Sequence, residues 1–213
     1  RILLRIEDLD SPRVKQRSDR EAIDTLTWLG IDWDDGPIYQ SEDLEPYRDA
    51  MRRLAGAGLV YPSPQTRGEV DAALGAPPAA TGDPSAASAP QEGAHELAFP
   101  ASLRPARIGP RPFEDDAANW RLVVDPDPIE IADALAGTRS FDVARIVGDF
   151  LVWTRRAVPA YQLAVVVDDA RQGVTHIVRG DDLLDSSARQ VLVARALGLP
   201  FAPWYCHLPL VRG

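Results

Sequence analysis

Short apolar runs alternate along this chain with helix-period stretches, and that alternation confines it to layered α/β folds built on a parallel sheet. Arg1 to Ile6 reads as a buried strand that ends in the acidic turn Glu7-Asp8-Leu9-Asp10. Ser18-Asp19-Arg20-Glu21 is a capping-box pattern, followed at helical spacing by Ala22, Ile23, Leu26 and Leu29 up to Gly30. A second helix is predicted from Pro46, burying Tyr47, Met51 and Leu54 before Gly56 and Gly58. Leu59 to Tyr61, Trp120 to Val124 and Gly148 to Trp153 read as extended chain. Ser187-Ala188-Arg189-Gln190 is a second capping box, opening a helix that ends at Gly198. Ala160 to Ala170 is ambiguous: its valines favour a strand, yet a short apolar run does not separate a buried strand from a buried helix.

At 213 residues the chain is long enough to bury a core, and 45% hydrophobic with 26% charged residues is ordinary for a globular protein. From Asp71 to Ala94, however, Ala, Pro, Gly and Ser dominate, and the few larger apolar groups do not offset the entropy of ordering them. A mobile loop is expected there. The single cysteine, Cys206, forms no internal disulfide, which suits a reducing, cytoplasmic setting. No apolar run of membrane-spanning length and no signal peptide is visible, so no membrane association is expected. The opening without Met, inside a strand, and the stop at Gly213 suggest a piece of a longer protein.

With 23 basic and 32 acidic residues the net charge is −9, the wrong sign for a protein that coats nucleic acid non-specifically. A local basic surface is compatible with that balance, and Arg104, Arg107 and Arg111 cluster in one stretch. Glu7 and Arg179 each follow an apolar run, where the strand ends of an open α/β sheet receive ligands. Together with Tyr161 they would suit an amino acid, the carboxylate facing an ammonium group and the guanidinium a carboxylate. The alternative is that Glu7 and Arg179 pair separately with surface partners. The tryptophans, Trp28, Trp33, Trp120, Trp153 and Trp204, are scattered, and core packing is the expected role.

Leu4 to Asp10, Tyr39-Gln40-Ser41, Gly148-Asp149-Phe150 and above all the block from Ala160 to Gln190 resemble the catalytic domain of the class I glutamyl-tRNA synthetase family. Within it, Gln162-Leu163, Gln172-Gly173 and Leu183-Leu184-Asp185-Ser186 are similar to the short glutamyl-Q branch. The resemblance implies a Rossmann-like parallel sheet with an α+β insertion: residues 1–60 and 140–213 as the core, incomplete at both ends, and 61–139 as an acceptor-binding-like insertion. It also implies that the segment after Tyr161 is helical. Glu7 is then expected to contact the substrate α-amino group, and Tyr161 and Arg179 the glutamate side-chain carboxylate. The implied reaction is ATP-dependent formation of glutamyl-adenylate with magnesium assisting, then transfer to queuosine in the anticodon of tRNA(Asp), by a monomer. A full glutamyl-tRNA synthetase charging the tRNA 3′ end, and an inactive paralogue that binds tRNA or glutamate, are the alternatives.

In the same frame Asp168, with Asp169, would either bind magnesium or brace its neighbours. Arg189 and Gln190 would orient the site, unless Gln190 is only a helix cap, and His207 would be a core or ATP-side neighbour. His176 is expected on a strand near the site. The family's His-Ile-Gly-His and Lys-Met-Ser-Lys signatures, its main ATP-handling groups, are absent from the sequence and would lie beyond its two ends. Many relatives hold zinc in the insertion, but Ser63, Gln65, Phe99 and Leu103 stand at the usual ligand positions, so zinc is expected to be absent.

Overall fold

The structure is a computed structural model that describes residues 2–9, 17–65, 67–74, 98–114, 117–200 and 202–211. It divides into two compact units, Arg1–Pro46 and Tyr47–Gly213. In the first, β1 (Leu3–Ile6) lies parallel to β2 (Asp35–Tyr39), with Ile6 opposite Tyr39, and α1 (Ser18–Trp28) connects them. The serine of the first capping box does not cap: Arg17 holds the N-cap position without a side-chain hydrogen bond. Asp19 instead accepts a 2.9 Å hydrogen bond from the Tyr39 hydroxyl, which lowers the aspartate pKa and raises that of the tyrosine. Core packing does not hold for Trp28, which is 82% exposed at the end of α1.

The second unit takes in all but the first two residues of α2 (Glu45–Gly56), whose helical spacing buries Tyr47, Met51 and Leu54 as expected. It holds two four-stranded sheets. In one, β3 (Val60–Pro62), β4 (Trp120–Leu122), β7 (Phe150–Thr154) and β8 (Val158–Pro159) pair antiparallel in that order. Trp120 and Trp153 are buried beneath Phe113, whose ring meets both edge-on. Gly148 leads into β7 with φ +68°, and a Cβ there would lie 2.3 Å from the Phe99 carbonyl oxygen, so only glycine fits.

The other sheet positions the candidate site. β5 (Ile129–Asp133), β6 (Gly137–Phe141), β9 (His176–Gly180) and β10 (Trp204–Leu208) run in the order β6-β5-β10-β9. β10 is parallel to both β5 and β9, whereas β6 returns antiparallel through a tight turn, so the sheet is mixed rather than wholly parallel. β5 and the first three residues of β6 precede residue 140 in the sequence yet share this sheet with β9 and β10, while β7 and β8 follow residue 140 and complete the antiparallel sheet.

α5 (Tyr161–Gln172) settles the ambiguous segment as a helix, against the strand propensity of its valines. Residues 162–169 are all buried, so tertiary packing between α6 (Leu184–Ala196) and β7 overrides propensity. α6 begins three residues before the second capping box and ends at Ala196, with Leu197 as its C-cap and Gly198 at φ +62°. Two shorter helices, α3 (Arg67–Ala73) and α4 (Val143–Ile146), complete the unit. Of the loop expected over 71–94, residues 71–73 belong to α3 and 75–94 lie outside the described residues. No helix among the described residues is long and apolar enough to cross a membrane.

Candidate functional site

Arg179, near the end of β9, is the centre of a half-buried polar cradle made by β10 and α6. Its Nε donates to His207 Nε2 at 3.0 Å, and its Nη2 donates to Ser187 Oγ at 2.8 Å and Gln190 Oε1 at 2.9 Å. All three acceptors are neutral groups. Nη1, with two N–H groups, has no partner among the described residues of this unit, and no carboxylate there pairs with the guanidinium. A half-buried cation held only by neutral acceptors keeps its charge uncompensated within this unit's described residues.

The cradle's own side chains are buried: Ser187, Gln190 and His207 are each at most 1% exposed. The helix-cap alternative for Gln190 does not hold, because both Ser187 and Gln190 sit inside α6 and turn toward Arg179. Arginine only donates, so the Gln190 carbonyl oxygen faces it and the amide nitrogen faces elsewhere, buried and without a partner. His207 is buried in the core beside the cradle, its ring stacked on Tyr205 and its Nδ1 2.6 Å from Asp133 Oδ2. Burial pushes the Tyr205 hydroxyl up to about 12. Asp133 went unnoticed in the sequence; it is buried at the end of β5, and only the turn signal after it, Leu135-Ala136-Gly137, marks the position.

The other sequence candidates fall into three groups. Tyr161 is the first residue of α5 and 39% exposed. Its neighbour Gln162 donates to Ser186 of α6 at 3.3 Å, and Arg189 donates to the same hydroxyl at 2.9 Å and to Asp185 at 3.4 Å, so the starts of α5 and α6 are tied together. Asp168 is 3% exposed and accepts from the Tyr47 hydroxyl at 2.7 Å and from Arg171 at 3.5 Å, bracing α2 against α5. Glu7 belongs to the first unit, just beyond β1, where its Oε1 accepts from Arg5 Nε at 3.2 Å and Nη2 at 3.1 Å and its side chain is 40% exposed. His176 opens β9 as expected on a strand, exposed and tilted against Trp204.

At the positions where zinc ligands would stand, Arg121 organises the neighbours. Its guanidinium lies 3.8 Å over the buried Phe99 ring and its Nε donates to Ser63 Oγ at 3.2 Å, while Ser63 donates to Gln65 at 2.7 Å. Leu103 ends the 3-10 helix Ala101–Leu103. Among the described residues no group of three or more His, Cys, Asp or Glu side chains is placed to hold a metal ion.

Comparison with known proteins places these observations in a family. Residues 1–213 match tRNA synthetases class I (E and Q), catalytic domain. The chain is 39% identical over 224 residues to the glutamyl-Q tRNA(Asp) synthetase of Symbiobacterium thermophilum, covering 100% of this chain and 65% of that protein. It is 42% identical over 217 residues to the glutamyl-Q tRNA(Asp) synthetase of Burkholderia cenocepacia, covering 98% and 65%. The chain thus spans just under two thirds of these relatives. Among solved structures, a glutamate tRNA ligase from Elizabethkingia meningosepticum, crystallised with its amino acid, superposes with a TM-score of 0.75 at 24% identity, over 98% of this chain and 42% of that one, which supports the fold. The chain belongs to the class I tRNA synthetase family for glutamate and glutamine, as part of its catalytic domain.

Proposed function

We propose that the protein containing this chain activates glutamate with ATP and transfers it to queuosine in the anticodon of tRNA(Asp), and that this chain selects the glutamate. The observation that carries the reading is Arg179: a guanidinium fixed by three neutral acceptors, with its Nη1 edge and its charge left for an anion. A glutamate side-chain carboxylate satisfies both, and the Tyr161 hydroxyl at the exposed start of α5 is a second donor for it. Glutamine presents no charge to Arg179, so it loses the charge-assisted part of the interaction. Glu7 is assigned to the α-ammonium group on the sequence resemblance, and the names of the relatives support the glutamyl-Q acceptor.

In the reaction an α-carboxylate oxygen of glutamate attacks the α-phosphorus of ATP, pyrophosphate leaves, and a hydroxyl of the acceptor then attacks the acyl carbon and releases AMP. The contribution of these residues is positioning: fixing the far end of the substrate orients the α-carboxylate for in-line attack. No residue of the cradle is assigned a proton transfer.

The test uses the complete protein. Glutamate-dependent exchange of pyrophosphate into ATP is expected, followed by attachment of labelled glutamate to tRNA(Asp) that carries queuosine and not to an unmodified transcript. Nuclease mapping should find the label in the anticodon fragment. Absence of exchange overturns the activation step, and label at the 3′ end replaces this reading with that of a full glutamyl-tRNA synthetase.

A further inference from the structure

Three neighbouring strands carry a chain of side chains that ends on Arg179. In the β5-β10-β9 part of the sheet, Tyr205 is in register with Asp133 on one side, and His207 with Arg179 on the other. His207 lies between a carboxylate and a guanidinium. Its Nδ1 is 2.6 Å from Asp133 Oδ2, and its Nε2 is 3.0 Å from Arg179 Nε and 3.3 Å from Ser187 Oγ.

The partners dictate where the imidazole proton sits. Arg179 Nε carries a hydrogen and cannot accept, so His207 Nε2 must present its lone pair. A neutral ring then has its proton on Nδ1, donated to Asp133. Asp133 is itself fixed: Oδ1 accepts from the backbone N–H groups of Leu135 at 3.0 Å and Ala136 at 2.8 Å, and Oδ2 accepts from that of His207 at 3.1 Å. Both ring and carboxylate have side chains fully shielded from solvent, so water cannot substitute for either bond. With Nε held by His207 and Nη2 by Ser187 and Gln190, Nη1 is the edge of Arg179 that has no partner among the described residues of this unit.

We infer that Asp133 and His207 are positioning residues for substrate selection: Asp133 fixes the Nδ1–H tautomer of His207, and His207 in turn holds Arg179 so that its Nη1 edge meets the substrate carboxylate. The inference rests on the functional reading above in that it takes this carboxylate to be glutamate's. A purely structural role for the pair would be satisfied by any side chain that fills the same buried volume; a positioning role requires a donor toward Asp133 and an acceptor toward Arg179.

The experiment combines the state of the ring with substrate kinetics, in the complete protein. Nitrogen-15 NMR of the His207 ring, assigned by its loss in a His207 variant, should show a protonated Nδ1 and an unprotonated Nε2. Asp133→Asn, by turning its amide toward the ring, should move the proton to Nε2, where it confronts the N–H of Arg179. His207→Gln can donate to Asp133 and accept from Arg179, and should keep the KM for glutamate within a few-fold of wild type. His207→Leu fills the space without either bond and should raise it about 10- to 100-fold, with the KM for ATP unchanged.

A protonated Nε2 in the wild-type ring overturns the inference whatever the kinetics show. Wild-type exchange with equal glutamate KM in the Gln and Leu variants overturns the inference and leaves the functional reading standing. Absence of glutamate-dependent exchange in the wild type overturns the functional reading, and with it the glutamate part of the inference.

Discussion

Two arginines in this protein sit in buried polar clusters of similar size, and they are compensated in opposite ways. Arg104 meets a carboxylate: its Nε and Nη2 lie 2.7 and 2.5 Å from the two oxygens of Asp149, which is also bonded by the Tyr61 hydroxyl at 2.7 Å and the Val124 N–H at 2.8 Å. The hydrogen bond with Asp149 raises the Arg104 pKa, and burial beside the same carboxylate pushes up that of Tyr61. Arg179 meets a histidine, a serine and a glutamine. One cluster is electrically closed and joins residues 61, 104, 124 and 149 into a brace; the other is geometrically just as ordered but electrically open. The difference separates a guanidinium whose charge is spent on the fold from one whose charge is left uncompensated by its described neighbours, and residue type or burial alone does not make that distinction.

The sharpest way to break the comparison is to remove each cation in turn. Arg179→Met should raise the KM for glutamate by about 10²- to 10³-fold, equivalent to about 3–4 kcal/mol for stranding a desolvated substrate carboxylate. The same change should move unfolding free energy by less than about 1 kcal/mol, since the loss of a half-buried, uncompensated cation offsets the acceptors left unpaired. Exchange kinetics and urea unfolding on the same preparation check both halves. A large stability loss with unchanged KM would make Arg179 a brace like Arg104.

Arg104→Met is the reciprocal change and the next in size. Asp149, 1% exposed at its side chain, would keep its charge with only Tyr61 and Val124 as partners, at a cost of about 3 kcal/mol in unfolding free energy. Glutamate KM should stay within about two-fold, because Arg104 bonds Asp149 and Val124 rather than any partner of Arg179, and well-separated sites act additively. This arginine was the first member of the basic stretch noted in the sequence; its pairing with Asp149 shows that part of that stretch serves the fold.

Much of the fold was legible because its signals are local. The spacing of Tyr47, Met51 and Leu54 located α2, and Gly198 located the end of α6. Ala160 to Ala170 was ambiguous for a physical reason: a helix buried on every side has no polar face, so its period vanishes. Ser187 and Gln190 misled because the capping-box spacing of three residues also places two side chains on one helix face, where here they serve Arg179. Asp133 could not be found, since its partner is 74 residues away and nothing in a single sequence records which strands become neighbours. The partners of Arg179 became visible only when β10 and α6 were placed beside β9.

The smallest expected effect concerns the carboxylate at the far end of the Arg179 chain, and its sign follows from protonation. Burial pushes the Asp133 carboxyl up, but the N–H groups of Ala136, the His207 ring, Leu135 and the His207 backbone together outweigh it and bring the pKa down from 3.8 to about 2. The folded state therefore favours the ionised form, and the stability gained from it is fully present above the unfolded value of 3.8 and lost as pH falls toward about 2. Asp133→Asn has no such dependence, so the difference in unfolding free energy between wild type and variant should be constant above about pH 5 and shrink steadily below it. Comparing the two proteins cancels the many other carboxylates that titrate in the same range. Urea unfolding at intervals from pH 6 down to the lowest pH at which both remain folded measures that difference directly. A difference that stays constant throughout would mean that the hydrogen bonds around Asp133 do not require its charge, and would leave His207 held by packing, in contrast to Arg104, which the Asp149 carboxylate holds by charge.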